Sequence, residues 1–374
     1  MVRQFIKHFV TFITLLIYSR RPLVVQNSCS KLGNGIFFFL ALIICLSNQL
    51  LMSLPANAKV VRLDEVDLAD KHYPYLYQWS DPEIKSKAII LAIHGVTLHG
   101  QVYEHLASHL AQEGALVLAP DLPGCGRRWQ IDSVSYSKAQ KELTDIIQSA
   151  KSTYKDIPVI CLGESLGANL SLTIAQHRPD LVDGLILSSP ALKRRVNVSP
   201  KIVVGSMNLL LSFVKADTEV DLSPYVRAYA SEDPAIIQAM LADPLVHRQI
   251  KGQDLWNSCQ AMRNVFKHAK LVSKTTPVLI IQGSQDKILK ADAIIKLVST
   301  LSCEDQTVKW FNNRGHMLVE ECQPKADILQ TIDTWFKSHI DKPVMEAKST
   351  EKLPVTSSLP PLTEATLNAT NNTD

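Results

Sequence analysis

The chain is expected to fold as an α/β domain, a mostly parallel central sheet with helices on both faces and a helical cap inserted after the sixth strand. Three observations lead there. Apolar strand-like runs alternate with amphipathic helical runs over residues 59–334. Residues 88–93 (AIILAI) are continuously apolar, the pattern of a parallel strand buried on both faces. An apolar run at 158–162 leads into Gly163-Glu164-Ser165-Leu166-Gly167 and then a helix-like run at 168–177, so a strand, a sharp turn and a helix follow one another.

Taken in order, residues 60–66 and 75–79 read as two lead-in strands and 88–93 as the third. Residues 101–112 carry Val102, Leu106, Ala107, Leu110 and Ala111 at helical spacing. A strand at 115–119, a helix at 137–151, the strand at 157–162 and a sixth strand at 181–187 follow. Between 190 and 276 no strand run appears and helical pieces dominate, with residues 201–214 (KIVVGSMNLLLSFV) strongly apolar; this interval is expected to be the cap. Strands at 278–282 and 307–311 and a helix at 326–339 close the domain, and there is no internal repeat.

The ends differ from this body. Residues 1–58 contain a basic stretch, the apolar run at 36–45 and then Ala56-Asn57-Ala58, which fits an export signal cleaved after Ala58. A second apolar run at 9–18 keeps an uncleaved membrane anchor as the competing reading. Both place the domain of residues 59–342 outside the cytoplasm, periplasmic or secreted, with a membrane surface as a possible partner. Residues 343–374, rich in Thr, Ser, Pro and Asn, read as a disordered tail. Five of the 39 basic residues and none of the 36 acidic ones fall in residues 1–58, so the net charge of +3 belongs to the leader. A near-neutral body argues against nucleic acid as a partner. Of seven cysteines, none has metal-ligand spacing, so no metal is expected. Cys161 reads as a small buried hydrophobe, and a bridge is open to Cys303 and Cys322 in an oxidising compartment. Nothing in the sequence specifies an oligomeric state.

The chemistry centres on Ser165. Bulky side chains two residues either side of it would collide with the neighbouring strand and helix, and this is why the turn carries glycines at both places. A nucleophilic serine needs a base, and the base needs an orienting acid. In α/β-hydrolases these follow in the order serine, acid, histidine. Asp286 stands just past the strand at 278–282, and His316 just past the strand at 307–311. An acyl-transfer intermediate also needs two N–H donors for its oxyanion. Leu166, following the nucleophile, supplies one, and Val96, in the loop after residues 88–93, is the candidate for the other. His94 is read as shaping that loop, and Glu164 as packing against neighbouring loops. Asp121 to Gly126 reads as a turn bordering the pocket, since it lacks the glycine spacing of a phosphate cradle.

With these residues in place the chain resembles the α/β-hydrolase superfamily, and within it the monoglyceride lipase and lysophospholipase-like branch with a serine aminopeptidase S33-type domain. The matching stretches are AIILAIHGVTLHG (88–100), LVLAPDLPGCGR (116–127), GESLGAN (163–169), ADPLVHRQI (242–250), PVLIIQGSQDKIL (277–289) and RGHMLVEE (314–321). The resemblance implies hydrolysis of carboxylic esters, mono-acyl lipids above all, without metal or organic cofactor. Acyl transfer or thioester hydrolysis on the same triad, and a non-catalytic binding protein on the same fold, are the competing readings. Cys125 between two glycines, followed by Arg127 and Arg128, departs from the family's usual turn; the two arginines would either favour an acidic head group or be solvated.

Overall fold

The computed structural model describes residues 60–192, 218–321 and 323–340. The expected leader at 1–58, the apolar run at 201–214, Cys322 and the tail at 343–374 lie outside the described residues. Eight strands form the main sheet: β1 (Val61–Leu63), β4 (Leu76–Ser80), β5 (Ala88–Ile93), β6 (Ala115–Pro120), β7 (Val159–Glu164), β8 (Gly184–Ser188), β11 (Val278–Gly283) and β12 (Gln306–Phe311). Their spatial order is β1-β4-β6-β5-β7-β8-β11-β12. Only β4 runs against the rest, pairing antiparallel with β1 and β6; the five other pairings are parallel.

Side-chain alternation sorts each strand between two cores. Ile89, Leu91 and Ile93 of β5 face one core. There they meet α2 (Tyr136–Thr153), α3 (Leu166–His177), α7 (Val265–Lys270) and α8 (Ala291–Thr300). Ala88, Ile90 and Ala92 face the other, built with α1 (Glu104–Gln112) and α9 (Ala326–Ile340). Every residue of β5, β6, β7, β8 and β11 is buried, so the apolar runs in the sequence are strands covered on both sides.

The expected fold is thus present, and β8 is the sixth strand of the main sheet in chain order. Three details differ. The lead-in strand expected over residues 60–66 stops at Leu63, and the chain then turns into a separate hairpin of β2 (Val66–Leu68) and β3 (Lys71–Tyr73). The interval after β8 is not free of strands: β9 (Glu219–Asp221) pairs antiparallel with β10 (Gln249–Lys251). The rest of its described part is helical, with α4 (Ser223–Tyr229), α5 (Pro234–Ala242) and α6 (Gly252–Arg263). Helix α8, which the sequence reading passed over, packs Ala293, Ile294 and Leu297 onto the first core. Among the described residues no helix is long and apolar enough to cross a membrane.

Phe336 on α9 is fully buried in the second core. Phe336→Ala should therefore lower the unfolding free energy by about 3–5 kcal/mol, read from the midpoint of urea denaturation at unchanged slope.

Candidate active site

The sheet crosses over between β5 and β7: from β5 the chain goes to β6 on one side, then returns to β7 on the other. Loops leaving the carboxyl ends of two such strands diverge and leave a crevice, where ligands of open α/β sheets bind. The loop after β5 carries Gly95 and Val96, and the turn after β7 carries Ser165.

That turn is as tight as its glycines suggest. A Cβ on Gly163 would sit 2.3 Å from the Gly167 carbonyl carbon, and one on Gly167 would sit 1.8 Å from the Ile93 carbonyl oxygen. Ser165 itself has φ 54° and ψ −112°, a region that residues with a side chain occupy only under constraint. Two backbone bonds hold it there, from its own N–H to the Ser188 carbonyl and from the Ala191 N–H to its carbonyl, both 2.9 Å. Helix α3 starts at the next residue, so Ser165 stands at a helix N-terminus, which favours negative charge.

Ser165, Leu166, Val96 and His316 all line one cleft of about 240 Å³. Asp286 lies behind His316: His316 Nδ1 donates to Asp286 Oδ2 at 2.8 Å, leaving Nε2 as the other ring nitrogen. Asp286 is held in turn by the Ile288 and Leu289 N–H groups on Oδ1 (2.7 and 2.9 Å) and by the Gln282 amide on Oδ2 (2.8 Å). Burial works to raise the Asp286 carboxyl, but the His316 charge and these donors outweigh it and leave it below the ordinary carboxylate range. Burial likewise works to lower the His316 imidazole, and the Asp286 charge and hydrogen bond, with the Glu164 charge, outweigh it and hold it above 6.5. The rest of the cleft is mostly apolar, with Leu98, Leu222, Tyr225, Val226, Met240, Leu255, Met262 and Met317 from the loop after β5, the cap and the His316 turn.

A family profile described as serine aminopeptidase, S33, matches residues 84–323, well over half of the chain. The chain belongs to the S33 serine aminopeptidase family of α/β-hydrolases. It is similar to rat monoglyceride lipase (27% identical over 294 residues, 76% of this chain and 94% of the relative) and to a monoglyceride lipase homolog of monkeypox virus (26% over 277 residues, 72% and 96%). Among solved structures, the monoacylglycerol lipase of Paleococcus ferrophilus shares the fold at a TM-score of 0.60 and 23% identity, over 73% of this chain and all of the other. The protein is accordingly a serine hydrolase of the lipase and esterase kind, in the monoglyceride lipase-like branch of that family.

Several residues of this S33-family hydrolase take places that the sequence left open. His94 is buried and held neutral: Nδ1 donates to the Gly95 carbonyl at 2.7 Å, Nε2 accepts from the Leu122 N–H at 3.0 Å, and burial pushes it down to about 4. It braces the loop after β5 against the Asp121 turn. Arg127 and Arg128 are both paired within the fold, and neither lines the cleft. Arg127 Nε pairs with fully buried Asp121 at 3.2 Å and its guanidinium lies 4.2 Å over the Tyr77 ring. Arg128 grips Glu142 with two bonds (2.6 and 3.1 Å) and Asp132 with a third. Burial pushes the Cys125 and Cys161 thiols up to about 12 and Cys303 up to about 11, so none is a thiolate at neutral pH. Cys303 is buried and free, and its expected partner Cys322 lies outside the described residues.

The sequence reading missed how the cap is tied to the site. The Met317 N–H donates to the Ala230 carbonyl (3.1 Å), the Gly315 N–H to Glu232 Oε2 (2.6 Å) and the His247 N–H to the Thr97 carbonyl (3.3 Å). Buried His99 pairs with Asp243 of the Ala242-Asp243-Pro244-Leu245 stretch at 3.0 Å. Among the described residues His109, Glu113 and Asp333 could together hold a metal ion. They sit on α1, just past its end and on α9, and none lines the cleft. His109 already bonds Asp333 at 2.7 Å and Glu113 pairs with Lys337, so the site reading gives them no part.

Gly167→Ala tests the turn. Because the new methyl would overlap the Ile93 carbonyl, the variant should lose the cooperative thermal transition of the wild type or show it at least about 4 °C lower, a shift expected of a loss of about 2 kcal/mol or more in a domain of this size. Differential scanning calorimetry reads it.

Proposed function

We propose that this hydrolase cleaves mono-acyl lipid esters through Ser165, His316 and Asp286. One observation carries the reading: Ser165, His316, Val96 and Leu166 line a single apolar cleft, with Asp286 bonded to the far nitrogen of His316. The Ser165 hydroxyl attacks the ester carbonyl while His316 Nε2 takes its proton. Negative charge gathers on the former carbonyl oxygen, facing the Val96 and Leu166 N–H groups at the start of α3. Collapse breaks the ester bond, and the leaving alcohol departs with the proton held by His316. Water then attacks the acyl-enzyme, gives its proton to His316, and the second collapse returns that proton to Ser165 and frees the fatty acid. Asp286 keeps the Nδ1 proton in place and stabilises the imidazolium in both halves.

The substrate class follows from the cleft wall. Methionines and aliphatic side chains from α4, α5 and α6 suit an acyl chain. A peptide with a free amino terminus would need a carboxylate in the cleft, and Glu320, the one acid among the described lining residues, is already taken by the Gly95 N–H and Tyr103. The rat relative is named for monoglycerides, in keeping with this choice. The sequence of residues 1–58 is in keeping with export or anchoring of the hydrolase domain.

Ser165→Ala should abolish both hydrolysis of p-nitrophenyl acyl esters and labelling by a fluorophosphonate probe; a variant still active and still labelled would sink the nucleophile assignment. Asp286→Asn should lower kcat by about 10⁴-fold with the fold intact, since the wrong His316 tautomer is then favoured. Protonated His316 cannot accept the serine proton, and its pKa is held above 6.5. The kcat/KM profile should therefore fall on the acid side with a midpoint above 6.5, as a pH titration would show. A panel of mono-acylglycerols, lysophospholipids and di-acyl lipids should rank the mono-acylglycerols first.

A further inference from the structure

Two buried carboxyl groups beneath the cleft have no task in this mechanism. Glu164, the residue before Ser165, is fully buried. Its Oε1 accepts from the Leu318 N–H at 2.8 Å, the Val319 N–H at 3.3 Å and the Ser188 hydroxyl, and its Oε2 accepts from the Glu320 N–H at 3.1 Å. Three consecutive amides closing on one carboxylate make an anion nest. They begin two residues after His316, so the turn bearing the imidazole is fastened to the neighbour of the nucleophile. Glu320 continues the chain of contacts. Its Oε1 accepts from the Gly95 N–H at 2.6 Å and lies 3.0 Å from the Tyr103 hydroxyl. Gly95 precedes Val96, and a Cβ there would approach Glu320 Oε2 to 3.1 Å.

We propose that Glu164 and Glu320 are positioning residues: Glu164 fixes the His316 turn against the nucleophile turn, and Glu320 fixes the Gly95-Val96 loop against the same turn. Base, nucleophile and oxyanion donor are then set relative to one another through two side chains. The inference rests on the roles given above to Ser165 and His316. Neighbouring buried carboxyls do not both stay ionised. Burial raises both, but Glu164 has four donors to offset it, whereas Glu320 feels the Glu164 charge as well and is pushed well above the ordinary range. Glu164 therefore works charged and Glu320 neutral. A neutral Glu320 also relieves Tyr103, whose single hydroxyl hydrogen has the Ile93 carbonyl at 2.9 Å as its other acceptor. The titratable groups facing Glu164 are His316, Glu320, Glu321 and Tyr103, and those facing His316 are Asp286 and Glu164.

The test compares Glu164→Gln, Glu320→Gln and Ser165→Ala in the full chain. Glu164→Gln sets an amide N–H against the nest; kcat should fall about 10²-fold, the effect of a displacement near 1 Å, with KM nearly unchanged. Because a negative neighbour that raises His316 is lost, the acid limb of kcat/KM should move to lower pH. Glu320→Gln replaces one neutral group by another; the loss should be smaller, about tenfold or less, with the acid limb unmoved. An unchanged kcat and acid limb in Glu164→Gln, or an acid limb that moves equally in both glutamine variants, overturns the inference. If Glu164→Gln does not fold, Ser188→Ala replaces it, with kcat expected to fall at constant KM and an unchanged kcat overturning the inference. An active Ser165→Ala overturns the nucleophile reading and this inference with it, whereas an inactive Ser165→Ala beside an unimpaired Glu164→Gln overturns the positioning roles alone.

Discussion

The close approach of two backbones organises this molecule. Where α3 leaves β7 it passes so near the end of β5 that Gly167 has no room for a methyl group against the Ile93 carbonyl. That contact needs β5 and β7 to be neighbours, which only the crossover in strand order provides. It also sets the loop after β5 beside the serine turn, and forces Ser165 into a conformation that costs about 1–3 kcal/mol. The cost is met by surroundings that are themselves rigid: five strands with no exposed residue, and two backbone bonds that tie Ser165 to the end of β8 and the segment after it. A softer sheet would let the turn relax and withdraw the hydroxyl from the cleft.

What the sequence made legible follows from which signals are local. Burial on both faces writes itself as an unbroken apolar run, so β5 and β7 could be read directly. Helix α2 shows in its periodicity, and Asp286 and His316 in their places just past strands. The hairpin of β2 and β3 gave no such sign. Its two-residue turn, Ala69-Asp70, has both residues at positive φ (46° and 65°), a demand normally met by Asn-Gly or Asp-Gly, and alanine carries no hint of it. Strands β9 and β10 hold three residues each, with one buried side chain apiece, too few for alternation to show. They exist because Val220 and Ile250 pack with Leu255 and, from the loop after β5, Val96.

Polar residues were the least legible. Glu164, Glu320, Glu232, Arg127 and Arg128 look alike in sequence, charged residues in or near turns, where the ordinary expectation is solvent. Most of their settings were decided by partners far away in the chain, such as Glu142 for Arg128, 14 positions on, and the Gly95 N–H for Glu320, 225 positions back. A charge can be buried only where partners compensate it, and where the partner is distant no window of sequence contains both sides of the pair. The arginines show the consequence: taken singly they suggest a site for an acidic ligand, while in the fold their charge is already answered by Asp121, Asp132 and Glu142.

These pairings also change how the cap relates to the chemistry. The strand ends supply the reacting groups and the cap supplies most of the apolar wall, a division that would let cap and sheet vary independently. Here they cannot, because the two residues flanking His316 are both bonded to the segment between α4 and α5: Gly315 to Glu232, and Met317 to Ala230. On the other side Thr97 accepts from His247, and His99 is paired with Asp243 at the end of α5. The cap therefore grips the His316 turn from one side and the loop after β5 from the other. A side chain in α4 or α5 that shifts to admit a different ligand pulls on the same bonds that hold the His316 turn. Changes in substrate preference on this scaffold should then appear in kcat as well as KM, because the apolar wall of the cleft and the turn that carries His316 are one connected structure.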